Sequence, residues 1–583
     1  MPELVQSGYA KNNSPKVALS VSEAQDWFAN HVTLYGKPYT LDRDQVIAAI
    51  DNHLNTLVTA RAGSGKTRVI VAKVAYLVAH GLTSLDQIAV FMFNRTAAAE
   101  VNERLSAIEV NGHKLTDINV FGLSKRLSNP KTSTVCIAST FHKFALDMIK
   151  LSGQKPQIIT EEEQNKIIEQ SLQKYLKQLS RKMPTREYQE LRGLVGGFIT
   201  RASQKYPGTQ HFPDLERDVK KYCQKYQGNS DYSKNIFLHQ IALRTYQDYL
   251  STLKSPKIDF NLLMSSATEL LDSASCPAIV DRIAPLRYLM IDEYQDFSYL
   301  FYALTNAIRR IATGAHLFAV GDDWQAINRF AGSDVDYFLK FANYFSRDVQ
   351  NIPLATNYRS CRKIVEYANR FMLSSYDPHA LPAVAFNRKP GKIRLLSQKK
   401  VKFKLDDLDE DALADGRYIL ALQEAIEASH HIPLRLRKLP PNKLIPIAKL
   451  LKTTLRILSK HPCTDTMLLH RHNFLSHESF PLDIFFKALR NLVIAENLFS
   501  STNYDILLRC MTMHKSKGLE AEIVILLEMN RELIRSHHPH ATIFELFGDT
   551  LAAEKADQER LIYVALTRAK KRLYIVSNDK NPL

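Results

Sequence analysis

From Tyr39 to Phe144 the chain alternates short apolar runs with stretches of helical spacing: TLVTA, a helix, IAVFMF, a helix, then TVCIAST. Alternation of this kind predicts a parallel sheet with helices on both faces. Residues 145–285 change character and become helix-rich, with few strand-like runs. Within them Thr160-Glu-Glu-Glu163 reads as a capping box. It is followed by Ile167, Ile168, Leu172, Tyr175, Leu176 and Leu179, a face expected to be core. YLMID (288–292) and HLFAV (316–320) restore the strand pattern. The helical block is therefore expected to be an insertion in one α/β domain spanning 39–144 and 286–350. A second α/β region is expected over 351–583, through CMTMH, EIVILL and RLYIV. Its interior, 376–465, is mixed: SQKKVKFK precedes DDLDEDALAD, and LRLRKLPPNK carries a Pro-Pro break. Those charge runs read either as solvated faces or as a nucleic-acid rim. Residues 1–38 read as a polar leader with one amphipathic stretch, SEAQDWFANHV.

Composition narrows the class. A chain of 583 residues suggests about four domains at roughly 150 residues each. With 45% hydrophobic and 23% charged residues it reads as globular rather than disordered or fibrous. No apolar run is long enough to span a membrane, and the N-terminus lacks the apolar region of a secretory signal. Cys136, Cys223, Cys276, Cys361, Cys463 and Cys510 are scattered without a CxxC pair. That spacing argues against a zinc site or a disulfide framework and for reduced thiols in a cytoplasmic protein. The formal charge of +17 suits a polyanionic partner, whose phosphates Lys and Arg would neutralise.

Two stretches carry chemistry. TARAGSGKTRVI (59–70) joins an extended run to a helix through a Gly-rich turn. The strict pattern GxxxxGK[ST] fails at Ala60, but Gly63, Gly65, Lys66 and Thr67 survive in the strand–loop–helix context that a P-loop requires. Backbone N–H groups of the loop and helix start, over Ala62, Gly63, Ser64, Gly65 and on to Arg68, would surround a β-phosphate. Lys66 would reach the terminal phosphates, and the Thr67 hydroxyl would ligate Mg²⁺. The partner motif is LRYLMIDEYQDFS, where a strand delivers Asp292 and Glu293 at its carboxyl end. Asp292 would hold Mg²⁺ and Glu293 would act as general base on the attacking water. Gln295 and Asp296 complete D-E-x-Q-D, and the pair of motifs indicates an NTP.

The set ARAGSGKT, IDEYQD, VGDDWQAINRFAG, LATNYRS, TMHKSKGLEAEIVIL and ERLIYVALTRAKKRLYIV resembles the superfamily 1 helicases of the UvrD/Rep/PcrA type. VGDDWQAI, VFMFNRTAAAEV and ASTFHKFALDMI are most similar to the helicase IV branch. The resemblance implies an α/β fold of two RecA-like P-loop NTPase domains, with a helical insertion in the first. Since about 220 residues follow Ser360 and a RecA-like domain uses about 150, the second insertion is expected to be reduced or absent.

By the same resemblance Gln45 reads adenine, Tyr358 stacks on the base and Glu520 reaches the ribose. Gln325 senses the γ-phosphate, and Arg359 and Arg568 are arginine fingers from the second domain. Phe93, Asn94, Arg95, Thr140, Phe141, His142, Phe330 and His514 match single-strand-binding positions. Phe93 also reads as core, and His142 and His514 as hydrogen-bonded structural histidines. There are departures. Asn328, Phe330 and Ala331 stand where relatives carry Tyr, Trp and Arg, and Gln558-Glu559-Arg560 replaces Glu-Glu-Arg-Arg. Arg61 replaces a glycine and is expected to point to solvent.

The implied function is an ATP- and Mg²⁺-dependent helicase or translocase on single-stranded and tailed duplex DNA, travelling 3′ to 5′ in repair, recombination or replication restart. The alternative is a DNA-stimulated ATPase motor within a larger recombination or anti-phage complex, with a protein partner. An RNA substrate stays open, since stacking grips either polymer.

Overall fold

The computed structural model describes residues 19–118, 137–178, 183–229, 233–253, 256–345, 348–376, 380–402, 410–429, 432–499, 504–530 and 541–578. Residues 1–18 of the leader, Cys136, Leu179 and the charged stretch 403–409 lie outside them.

Six strands form one wholly parallel sheet, in the order Gln350–Leu354, Asn55–Ala60, His316–Gly321, Tyr288–Ile291, Ile88–Met92 and Ala138–Thr140. The central strands Tyr288–Ile291 and Ile88–Met92 are apolar toward both faces, as a sheet covered on both sides demands. Val58, Val90 and Val320 enter one core, Leu57, Phe91 and Ala319 the other. Because the strands are parallel, every carboxyl end lies along one edge, and that edge collects the chemistry.

The boundaries differ from the sequence expectation in three places. From residue 19 onward the expected leader is part of the first domain. Helix Val21–His31 starts at a reciprocal capping box between Ser20 and Glu23. Its Ala24 and Phe28, four residues apart, are wholly buried in the sheet's core. Strand Gln350–Leu354, expected to open the second domain, is instead the edge of the first sheet, with Ile352 opposite Val58. Pro353 has no N–H to donate, which an edge strand tolerates.

The third difference is the extent of the insertion. Helices Phe141–Leu151, Phe260–Ser273 and Pro277–Ile283 pack into the first domain through Ala145, Met148, Leu263, Leu271 and Ile279. The separate helical core runs only from Ile159 to Leu253. A two-strand parallel ribbon, Gln157–Ile158 with Lys257–Ile258, forms its base. The capping box at Thr160 and Glu163 forms, and Ile168, Leu172 and Leu176 are core.

The second sheet is also wholly parallel, in the order Lys392–Ser397, Ala569–Ser577, Ala521–Leu526, Thr466–His470 and Leu508–Thr512. Helices Arg362–Ser375 and Leu551–Leu566 cover the face presenting Met467, Leu469, Val524, Leu526 and Ile575. Helices Glu410–Glu427, Pro441–Leu458 and Leu482–Ala495 cover the face presenting Leu468, Ile523, Ile525 and Val576. The divergent stretch 376–465 thus supplies an edge strand and two of the three helices that cover one face of the second sheet.

One short element crosses between the lobes. The 3₁₀ segment Ala541–Phe547 leans on the insertion. The Arg201 guanidinium lies 3.9 Å from the Phe544 ring centroid and pairs with Asp549 at 2.6 Å. Phe547 meets Phe198 edge-on at 5.0 Å, and the Tyr226 hydroxyl donates to Glu545 at 3.2 Å. No helix among the described residues is long and apolar enough to cross a membrane.

Candidate nucleotide site and nucleic-acid face

Strand Asn55–Ala60 runs into the loop 61–65 and then helix Lys66–Ala79. Gly63 and Gly65 both take positive φ, at 72° and 87°. Only glycine fits Gly63 for a second reason, since a Cβ there would stand 2.8 Å from the Arg359 Cβ. The loop therefore lets the second domain come close. Ala62 and Ser64 are buried, and the Ser64 hydroxyl has no hydrogen-bond partner. A buried orphan hydroxyl beside the N-terminus of a 14-residue helix suits an anion. Lys66 Nζ is 3.5 Å from Glu293 Oε2. Burial lowers the Lys66 pKa, but the Glu293, Asp322 and Asp292 carboxylates outweigh it and hold the ammonium above its usual range.

Two strands away, Ile291 delivers Asp292 and Glu293 to the same edge, with Glu293 in the left-handed region at φ 48°. Burial and the neighbouring Glu293 push the Asp292 carboxyl up, against Lys66 and a hydrogen bond from Thr67. Burial opposes the Glu293 charge, yet Lys66 and Lys517 win and hold that carboxyl low. An acid pair of this kind, one member short of positive charge beside a threonine hydroxyl, fits a hard divalent cation at Asp292 and Thr67. Gln295 donates to Glu293 at 2.5 Å and accepts from the Asp322 N–H at 2.8 Å.

Between those strands, His316–Gly321 supplies Asp322 and Gln325. The Gln325 amide donates to Asp322 at 2.6 Å, and its oxygen accepts from Arg568 at 3.2 Å. Arg568 is buried and otherwise donates to the Val564 and Leu519 carbonyls and the Thr567 hydroxyl, all neutral oxygens. Burial and the nearby Arg359 push its pKa down. A buried guanidinium whose hydrogen bonds go to neutral oxygens suits an anionic ligand. Arg359 pairs with Glu520 at 2.6 Å, and Lys570 holds the other oxygen of that carboxylate at 2.7 Å.

At the base end, the Gln45 side chain donates to the Ser64 carbonyl at 2.9 Å and accepts from the Asp42 N–H at 3.2 Å. The Tyr358 hydroxyl donates to the Asp42 carboxylate, and its ring is partly exposed. Arg68 lies over the Tyr39 ring at 4.5 Å.

The expectation that Arg61 points to solvent is corrected. It is 3% exposed, pairs with Asp322 and Asp323 at 2.8 and 2.7 Å, and stacks over Trp324 at 3.9 Å. A buried carboxylate pair requires a cation, and Arg61 pairs with both of its members. Lys517 was not singled out in the sequence. It crosses to Asp296 at 2.5 Å and to the Gln325 carbonyl at 2.9 Å, joining the two domains.

The nucleic-acid candidates fall into two groups. Asn94 caps helix Arg95–Ala107 and Thr140 caps helix Phe141–Leu151, at the ends of adjacent strands where Met92 lies opposite Thr140. Asn94 and Arg95 are exposed. Phe93 and His142 are half-buried, both edge-on to Phe301, at 5.4 and 5.8 Å. Phe141 is a correction: its ring is buried, stacked between Phe91 and Phe301 at 4.4 Å each, so it offers no face to a base. Phe260, which stands edge-on to His142 at 5.2 Å and half exposed, offers one instead. An apolar residue opening a helix reads as core, so nothing in the spacing marked it. Across the cleft, Phe330 of the first domain, 54% exposed, meets His514 of the second at 5.7 Å, nearly perpendicular.

Residues 41–346 match the model of the UvrD/REP helicase N-terminal domain, and 475–580 that of the UvrD-like helicase C-terminal domain. The chain is similar to DNA helicase IV of Escherichia coli K12, at 26% identity covering 99% of this chain and 73% of that protein. It is 22% identical to a probable DNA helicase II homolog of Mycoplasma pneumoniae, over 92% of this chain and 84% of the relative. An ATP-dependent DNA helicase PcrA of Leuconostoc citreum matches at 27% over 54% of this chain and 36% of its own length. With the P-loop, the acid pair and the opposing arginines along one cleft, and a family model over more than half its length, the chain belongs to the UvrD/REP helicase family and is an ATP-dependent DNA helicase.

Proposed function

We propose that this helicase steps along single-stranded DNA, 3′ to 5′, by closing and reopening the cleft between its two RecA-like domains around ATP, and acts on tailed duplexes in repair, recombination or replication restart. The observation that carries this reading is the division of the site. Lys66, Thr67, Asp292 and Glu293 belong to the first domain, Arg359 and Arg568 to the second, and Gln325–Arg568 and Lys517–Asp296 bridge them. Asp292 and Thr67 would hold Mg²⁺, which when bound neutralises charge on the phosphates. Lys66, Arg359 and Arg568 would bind the γ-phosphate oxygens, and Glu293 would take the proton from the attacking water. Gln45 and Tyr358 would hold the adenine and Glu520 the ribose. Phe93, Asn94, Arg95, Thr140 and His142, with Phe330 and His514, would grip the strand through stacking and backbone contacts.

A second reading is a DNA-stimulated ATPase motor inside a larger complex that does not unwind alone. Asn328 and Ala331, which leave the strand grip without an aromatic and a cation, favour it. ATPase and strand-displacement assays on 3′-tailed, 5′-tailed and RNA-tailed duplexes decide. Displacement only from 3′-tailed DNA is expected. Hydrolysis without displacement supports the second reading, and displacement from 5′ tails overturns the direction.

A further inference from the structure

Phe386 is two-thirds exposed, yet its backbone is fixed. Strand Val384–Ala385 pairs in parallel with Thr356–Asn357, the two residues before Tyr358. Phe386 N–H donates to the Asn357 carbonyl at 2.9 Å, and the Leu381 carbonyl accepts from Arg61 of the P-loop at 2.9 Å. The segment is therefore tied to the nucleotide site at both ends. Its ring rests against Tyr358, centroids 4.8 Å apart and planes tilted by 41°. At its other end Tyr358 is held through its hydroxyl by Asp42, the residue that caps the Gln45 helix. An aromatic ring left in water at this position gains little from burial. What it does is to restrict a second ring whose plane must be set before a base can stack on it.

We propose that Phe386 is a positioning residue for the nucleobase: it backs Tyr358 and fixes the plane on which the base stacks, so that its loss weakens ATP through the base and not through the phosphates. This rests on the reading that Tyr358 stacks on the base. Among the described residues, the Phe386 ring meets Tyr358 and shares no hydrogen bond with Lys66, Asp292, Glu293, Arg359 or Arg568, so the effect belongs in KM.

The test is steady-state ATPase of the full chain with saturating single-stranded DNA, comparing wild type, Phe386→Ala, Phe386→Tyr, Tyr358→Ala and the Tyr358→Ala/Phe386→Ala double variant. Inorganic tripolyphosphate, which has phosphates but no base, serves as competitor. In Phe386→Ala the KM for ATP is expected to rise about three- to tenfold, the scale of one aromatic pair. The kcat should stay within about twofold of wild type, and inhibition by tripolyphosphate should not move. Phe386→Tyr should restore KM, and the double variant should be no worse than Tyr358→Ala. An unmoved KM in Phe386→Ala overturns the proposal. So does a tripolyphosphate constant that shifts with it, or a double variant whose effects multiply. If Tyr358→Ala itself leaves KM at the wild-type value, the stacking role of Tyr358 fails, and the proposal with it.

Discussion

Glu293, the proposed general base, shares an ion pair with Lys66, the proposed phosphate-binding lysine, and that pairing makes its removal diagnostic. Glu293→Gln keeps the shape and the neighbours but cannot accept the water's proton. Turnover should fall by about 10²–10⁴-fold with ATP and DNA affinity retained; near-normal turnover would remove Glu293 from the reaction. Arg568→Ala should likewise spare nucleotide binding through the P-loop while hydrolysis drops by roughly 10³-fold or more. Fluorescent-nucleotide titration beside turnover, with and without a single-stranded oligonucleotide, separates the two effects. At this scale the sequence was most legible where a motif is contiguous: Lys66, Thr67, Asp292 and Glu293 all reach one strand edge. It was least legible where partners are remote. Arg61 meets Asp322 and Asp323 across some 260 positions, and Lys517 meets Asp296 across 221. No local pattern announces an ion pair formed only by folding. Phe141 was misread for a related reason, since an aromatic within a binding motif and an aromatic under it look alike in sequence.

The helix after the P-loop shows what an element tolerates when it is buried on nearly every side. Within Lys66–Ala79, the stretch Val69–Val78 is buried, and it includes Lys73. The Lys73 ammonium donates to the Asp51 carbonyl and lies 4.6 Å from the Phe318 ring centroid. Burial lowers its pKa to about 8. The unfolded chain, with lysines near 10.4, therefore binds more protons between about pH 8 and 10.4, and stability rises with pH across that window. At pH 7 the charge costs roughly 3 kcal/mol, partly offset by a hydrogen bond of about 1 kcal/mol. Lys73→Met should then stabilise the protein by about 2 kcal/mol at pH 7, with the gain shrinking through pH 8–10.4. Denaturant melts at pH 7 and 10 check this, and an unchanged midpoint at pH 7 would refute it. Strands at this scale were legible because fully covered parallel strands are uninterrupted apolar runs. The helical layer of residues 410–458 was not, because its charged outer face dominates the composition while Tyr418, Leu422, Leu444 and Leu451 do the packing.

For the whole molecule, the proposed division of the site would make hydrolysis contingent on how the domains meet. Single-stranded DNA lying across Phe93 and His142 on one side and His514 on the other should favour the closed arrangement. ATPase is expected to be slow alone and to rise sharply with single strands. Affinity should fall steeply with salt and depend little on base order if the proposed grip, by stacking and contacts to the DNA backbone, holds. A flat salt response in an anisotropy titration would exclude that mode of binding. That strands before and after the helical block share one sheet was readable from where strand patterns stop and resume. The depth of the insertion was not, because helices of its own core and helices belonging to the sheet share one periodicity.

The crossing between Arg201 and Asp549 spans 348 residues, and it sets an order of events in synthesis. The insertion leaves the ribosome first. At about 5–20 residues per second, Phe198 and its neighbours wait roughly 20 to 70 seconds before Phe544 and Phe547 arrive to cover them. The nascent chain thus carries a bare aromatic face on an otherwise finished helical unit, the kind of surface that chaperones hold and that aggregation exploits. A full-length Phe544→Ser/Phe547→Ser variant prolongs that state indefinitely. Its ATP binding should be intact, yet helix Thr185–Lys205 should be cut faster in limited proteolysis than in wild type, and the protein should depend on chaperones to stay dispersed as it is made.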